Sequence, residues 1–155
     1  MSKRWKFTQA EMDLIQDFVN EIDEEFEIVK GYAFECCLDT KEIFLGNKRF
    51  TKYDKYFMDW LKTLPEYVPI TSFIISLLHE IGHFKTYNQV IYDNSKLLQG
   101  MYQYLFEDGS ITELEHQNKY FELPNEKNST LWGLEYYKSH KAKCDRLAEM
   151  VGCTL

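Results

Sequence analysis

Ile70-Thr71-Ser72-Phe73-Ile74-Ile75-Ser76-Leu77-Leu78-His79-Glu80-Ile81-Gly82-His83-Phe84-Lys85-Thr86-Tyr87 reads as a single amphipathic helix, and its two faces set the reading of the chain. At 3.6 residues per turn, Ile70, Phe73, Ile74, Leu77, Leu78, Ile81 and Phe84 fall on one side. Ser72, Ser76, His79, His83 and Tyr87 fall on the opposite side, with Glu80 at its edge. Pro69 precedes the helix, and Thr71 or Ser72 is the expected N-cap. The apolar side must pack inward, so the histidine side must face something other than core.

His79 and His83 are four apart, one helical turn and roughly 6 Å from each other on one face. Their ring nitrogens can converge on one cation at about 2.0–2.1 Å. Glu80 does not easily reach the same ion, but it can sit beside a water bound there. His-Glu-x-x-His is thus a mechanism as well as a pattern: zinc lowers the pKa of the water, Glu80 takes its proton, and a polarised carbonyl is attacked. Gly82 costs the helix about 1 kcal/mol of propensity, so a packing reason is expected for it, namely the close approach of a neighbouring element. Two exposed histidines on an ordinary helix would be the bland alternative. The uncharged flanks (Leu77-Leu78, Ile81-Gly82, Phe84) and the segregation of the faces argue against it.

A catalytic zinc site takes three protein ligands and leaves a position open. Downstream candidates for the third are Glu113, Glu115, His116, Glu122, Glu126, Glu135, His140, Asp145 and Glu149. Glu126 stands out within Leu123-Pro124-Asn125-Glu126-Lys127-Asn128-Ser129-Thr130-Leu131-Trp132-Gly133. Asn125 is an expected helix cap, Glu126 would lie in the first turn, and small Ser129 and Gly133 would let this helix lie against the histidine helix. His140 and Asp145, on a C-terminal helix, stay open as rivals. His116 reads as a surface histidine. A tyrosine could serve as transition-state donor, but Tyr87, Tyr92 and Tyr136 cannot be ranked from sequence.

The combination His-Glu-Ile-Gly-His-Phe and Glu-x-x-Ser-Thr-x-Trp-Gly, over roughly residues 70–133, resembles the ImmA/IrrE group of gluzincin metallopeptidases. That group carries His-Glu-x-Gly-His and then Glu-x-x-Ala-Asn/Asp-x-Phe-Ala on a second helix. Small phage-type proteins with Leu-Pro-x-Glu-x-x-Ala-Thr-x-Trp are similar as well. Ser129, Thr130, Trp132 and Gly133 stand where the group has Ala, Asn or Asp, Phe and Ala. The resemblance implies zinc as cofactor, with His79, His83 and Glu126 as its ligands and Glu80 as general base. Thr130 would then be a partner to a ligating histidine. The implied substrate is a protein or peptide, for example a regulator of a mobile element.

Outward from this centre the pattern is mostly helical. Thr8 and Glu11 form a capping box opening a helix to about Glu25, with Ile15, Phe18, Val19, Ile22 and Phe26 at helical spacing. Ile28, Tyr32, Phe34, Cys36 and Leu38 share one parity, the signature of a strand with Gly31 as a bulge. Asp39-Thr40-Lys41 is the expected turn to a return strand at Ile43-Phe44-Leu45. Helices are expected over about 54–64, 89–107, 111–122 (capped by Ser110 and Glu113) and 126–151, the last broken near Ser139. The expected fold is α+β: one minimal zincin-like domain over 1–155, mostly helical, with a small hairpin or sheet flanking the histidine helix.

Composition narrows the function classes. Of 155 residues, 45% are hydrophobic and 28% charged, and the net charge is −7, which argues against a nucleic-acid partner. The basic start Lys3-Arg4-Trp5-Lys6 is too short to reverse that. No apolar run approaches the ~20 residues of a membrane span, and no signal-peptide stretch opens the chain. A cytoplasmic location, host cytoplasm if phage-encoded, is the expectation. Cys36, Cys37, Cys144 and Cys153 lack zinc-ribbon spacing and read as reduced thiols. The expected function is a zinc-dependent peptidase. The alternative is a non-proteolytic binding or regulatory protein on the same scaffold, and a cysteine-rich structural zinc site has no support from spacing.

Overall fold

The computed structural model describes residues 6–155; Lys3, Arg4 and Trp5 of the basic start lie outside the described residues. Among the described residues, seven helices and three strands follow one another in the order α1 (Gln9–Asn20), β1 (Glu27–Lys30), β2 (Glu35–Cys37), β3 (Glu42–Leu45), α2 (Lys52–Leu61), α3 (Ser72–Thr86), α4 (Gln89–Glu107), α5 (Glu113–Phe121), α6 (Pro124–Ser139) and α7 (Lys141–Met150). The result is the expected mostly helical α+β architecture with a small sheet. Among the described residues, no helix is long and apolar enough to cross a membrane.

The sheet departs from the simple hairpin. β2 and β3 do form one, antiparallel, with Cys36 opposite Ile43 and the turn at the expected Asp39-Thr40-Lys41. The stretch read as one strand from Ile28 to Leu38 is, however, two strands on opposite sides of β3. β1 pairs with β3 in parallel, giving the order β1-β3-β2. A shared parity cannot reveal this, because residues 31–34 leave the sheet and re-enter it without shifting the alternation. β2 is therefore an outer strand with one unpaired edge.

α3 runs through the centre. Phe73, Ile74, Leu77, Leu78 and Ile81 enter the main core with Ile15, Phe18, Val19, Ile28, Ile43, Leu45 and Leu147. Ile75 enters a second cluster with Trp60, Leu61, Leu64, Phe121 and Leu134. Two apolar clusters thus grip α3 from two sides, leaving one stripe of it free of core. Thr71 is its N-cap, its side-chain oxygen accepting from the Ile74 N–H at 3.4 Å.

Other boundaries follow from local chemistry. α1 opens on the Thr8–Glu11 capping box but ends at Asn20 rather than Glu25, with residues 21–25 forming turns. α5 uses Thr112 and Glu115 as its box, not Ser110 and Glu113. Both pairs fit the spacing, and Ser110 is instead consumed in a turn where its N–H donates to Asp108. α6 starts two residues earlier than expected: Leu123 is its N-cap and Pro124 its first residue, so Asn125 sits inside the first turn and does not cap it. The break between α6 and α7 falls at His140, beside the expected Ser139.

Candidate metal centre

α3 and α6 make the most extensive helix pair in the protein, and the sequence explains why they can approach so closely. A Cβ built at Gly82 would stand 3.0 Å from Ser129 Cα and carbonyl carbon, and closer still to its carbonyl oxygen. A Cβ at Gly133 would meet Leu78 Cβ at 3.1 Å and Ile75 Cδ1 at 3.2 Å. Two glycines, one on each helix, thus let backbone meet backbone. Real side chains do not fit at these separations, so the packing reason expected for Gly82 is the backbone of Ser129 itself.

This approach brings Glu126, in the first turn of α6, under the histidine stripe of α3. His79 Nε2 lies 3.1 Å from Glu126 Oε1, His83 Nε2 lies 3.3 Å from Oε2, and the two Nε2 atoms are 3.1 Å apart. A tetrahedral centre with bonds of about 2.05 Å has ligand–ligand edges of about 3.3 Å. The two Nε2 atoms and the two oxygens of the Glu126 carboxylate therefore stand at separations close to the edge length of a zinc coordination tetrahedron.

The outer nitrogens decide which atoms carry protons. Thr130 Oγ1 donates back to the Glu126 carbonyl at 3.2 Å, so it accepts from His79 Nδ1–H at 2.8 Å. Ser129 Oγ donates back to the Asn125 carbonyl at 2.8 Å, so it accepts from His83 Nδ1–H at 3.0 Å. Each histidine is thereby held with its proton on Nδ1 and its Nε2 lone pair turned inward. Two lone pairs and a carboxylate then converge, three acceptors with no donor between them. Such an arrangement is repulsive without a cation.

The acid–base environment expresses the same demand. Burial alone would lower the His79 pKa, but hydrogen bonding to Glu126 and the charges of Glu80 and Glu126 outweigh it, and the net shift is upward. Burial alone would raise Glu126, but hydrogen bonding with His79 and His83, and their charge, hold it well below the usual carboxylate range. Glu80, only 7% exposed, is raised, chiefly by burial and against the lowering effect of the two histidines.

The third-ligand candidates separate by position. His79, His83 and Glu126 have donor atoms within 4.8 Å of one another. His140 instead stacks on the Tyr136 ring at 4.0 Å and hydrogen-bonds to the Tyr136 carbonyl. Asp145 accepts from Tyr137 Oη at 2.6 Å and pairs with Lys141. His116 stacks on Phe106. Glu113 pairs with Lys52, Glu115 caps α5, Glu122 accepts from Trp60 Nε1, Glu135 pairs with Lys138, and Glu149 is exposed.

Two residues at the centre escaped the sequence reading. Cys36, on the outer strand β2, has its sulfur within 4.8 Å of donor atoms of Glu80 and His83. Its thiol is raised well above the ordinary range by burial and then by the Glu80 charge. Tyr120, at the end of α5, hydrogen-bonds to Glu126; burial first, then that carboxylate, raises its phenol. Of the tyrosines considered from sequence, Tyr87 and Tyr92 line a cavity at the centre, whereas Tyr136 is packed between Trp132 and His140. No one-dimensional spacing could have flagged Cys36 or Tyr120, since both arrive on other elements.

The centre lies between two cavities. One, of about 720 Å³, runs along β2 past Glu80, His83, Tyr87, Tyr92 and Lys96. The other, of about 420 Å³, passes Tyr53, Phe57, Ser76 and His79. Phe34, Glu80, Tyr120 and Glu126 line both, so the depression continues on either side of the centre. No protein-family description, curated protein or solved structure matches the chain.

Proposed function

We propose that the protein is a zinc-dependent peptidase of the gluzincin kind, similar to the ImmA/IrrE group, acting on an extended segment of a protein substrate. The observation that carries this reading is the convergence of two Nε2 lone pairs and the Glu126 carboxylate at 3.1–3.3 Å, with no donor among them. Two nitrogens and one carboxylate oxygen suit zinc rather than calcium or magnesium, which favour all-oxygen sets. Three protein donors leave a fourth position free, as a catalytic site needs.

A bound zinc ion supplies Lewis acidity, polarising a carbonyl and acidifying a water molecule. The remaining work falls to the chain. His79, His83 and Glu126 hold the ion, with Thr130 and Ser129 fixing the ring orientations. Glu80 lies next to the ligands on α3 but is not among the three converging groups, and its raised pKa suits a base that takes a proton from water and returns it to a leaving amine. Tyr120 Oη, beside Glu126 and lining both cavities, is the group best placed to donate to a developing oxyanion. The free edge of β2 along the larger cavity offers backbone groups to an extended peptide, as in strand addition.

A second reading, a partner-binding protein without proteolysis, is favoured by α4. Its Val90, Leu97, Met101 and Tyr104 are all exposed at near-heptad spacing on one helix. Glu80→Gln separates the two. Under the peptidase reading it retains zinc and loses hydrolysis of unfolded protein substrates such as casein. Unimpaired function of Glu80→Gln would contradict that reading.

A further inference from the structure

Cys36 has no role in the peptidase chemistry above, yet it stands at the centre on the strand that forms one wall. Its sulfur, a carboxylate oxygen of Glu80 and a ring nitrogen of His83 lie within 4.8 Å of one another, so His83 belongs to two donor groups at once. In a tetrahedral site, a sulfur at about 2.3 Å and a nitrogen at about 2.1 Å from the ion stand roughly 3.6 Å apart. A shift of about 1 Å covers the largest difference allowed between Cys36 and His83; the Cys36 sulfur lies outside the group formed by His79, His83 and Glu126 and must move further to approach those two donors.

We propose that Cys36 is an intrinsic fourth donor to the metal held by His79, His83 and Glu126, closing the centre with the thiolate of its own edge strand. This inference rests on the zinc reading of those three residues.

Several observations support it. Glu80 is buried, with 7% of its surface exposed, and the Cys36 sulfur lies within 4.8 Å of its carboxylate. On closure the S–H bond breaks, its proton is released to solvent through the cavity along β2, and a sulfur lone pair would occupy the coordination position otherwise left to water. No electron is transferred and no other reactant is needed. β2 is only three residues long and, among the described residues, is paired on one side only, to β3. Cys37, its neighbour, alternates to the other face of the strand and hydrogen-bonds with Thr40. The two adjacent cysteines are therefore not equivalent.

Closure changes what the site can do. With Cys36 outside the coordination sphere, the donor set is His₂Glu with an open position; with Cys36 inside, it is four-coordinate, as in structural zinc sites.

Cobalt(II) titrated into the metal-stripped protein tests this directly, because thiolate ligation gives an intense near-ultraviolet charge-transfer band separate from the visible bands of tetrahedral cobalt. Wild type and Cys37→Ser are expected to show both sets of bands. Cys36→Ser is expected to keep the visible bands and lose the charge-transfer band. Visible bands without charge transfer in wild type, or charge transfer that persists in Cys36→Ser, would overturn the inference while leaving the three-ligand centre standing. Absence of visible bands in wild type would remove the metal reading and this inference with it.

Discussion

The backbone of Ser129 occupies the space that a side chain at position 82 would need, so α3 and α6 touch at Gly82 without an intervening side chain. Glu126 reaches the histidine rings because of that contact. Gly82→Ala is expected to force the helices apart and destabilise the fold by about 1–3 kcal/mol, despite the better helix propensity of alanine. Denaturant unfolding of the metal-free protein measures it. A neutral or stabilising result would show that the approach of the helices is looser than the packing requires.

Ser129 and Thr130 act on the rings rather than on the ion. Ser129→Ala or Thr130→Val should each weaken zinc binding by about 10–100-fold, the effect typical of removing a partner that orients a ligating histidine. Competition with a chromophoric chelator reads the change. Equal affinity in wild type and both variants would mean that the Nδ1 hydrogen bonds do not set the ring orientation.

In the proposed zinc site, proton and metal would compete for one place. His79 has a folded-state pKa raised above its ordinary value of 6.5, so the folded metal-free protein holds more protons than the unfolded chain in the window above that value. This contribution to stability is fully present below 6.5 and is lost as pH rises through the raised pKa. The melting temperature of chelator-treated protein should therefore contain a component that falls as pH rises above 6.5. Glu126→Gln should diminish that component, because the partner raising His79 loses its charge. A wild-type profile that rises over this window and matches Glu126→Gln would contradict the assignment. With zinc present the trend is expected to reverse, since metal binding displaces the proton.

Tyr120→Phe removes one hydroxyl beside Glu126 and leaves the ring that lines both cavities. It should leave zinc content unchanged and lower kcat for peptide hydrolysis by about 10²–10³-fold with little effect on KM, as loss of an oxyanion donor does. An unchanged kcat would assign the phenol to positioning Glu126 alone.

Much of this arrangement is legible along α3 and α6. The four-residue spacing of the histidines, the glycine inside the motif and the small residues after Glu126 all describe one helix contact, and the structure has that contact. Legibility ends where the information is not local. Cys36 and Tyr120 come to the centre on β2 and α5, and nothing in their own neighbourhoods marks them. Parallel pairing of β1 with β3 is likewise invisible to an alternation that continues across residues 31–34. Ser129 shows a subtler limit. Its small size suggested close packing, but its hydroxyl also holds His83, and size alone does not reveal which carbonyl it will reach back to.

The claim on which the rest depends is that His79, His83 and Glu126 jointly hold one zinc ion. Elemental analysis after equilibration with zinc and removal of excess metal tests it, using wild type, His79→Ala, His83→Ala, Glu126→Ala and His140→Ala. The expected result is one zinc per chain in wild type and His140→Ala, and loss of zinc in the other three. Full zinc content in Glu126→Ala, with loss in His140→Ala, would contradict the assignment.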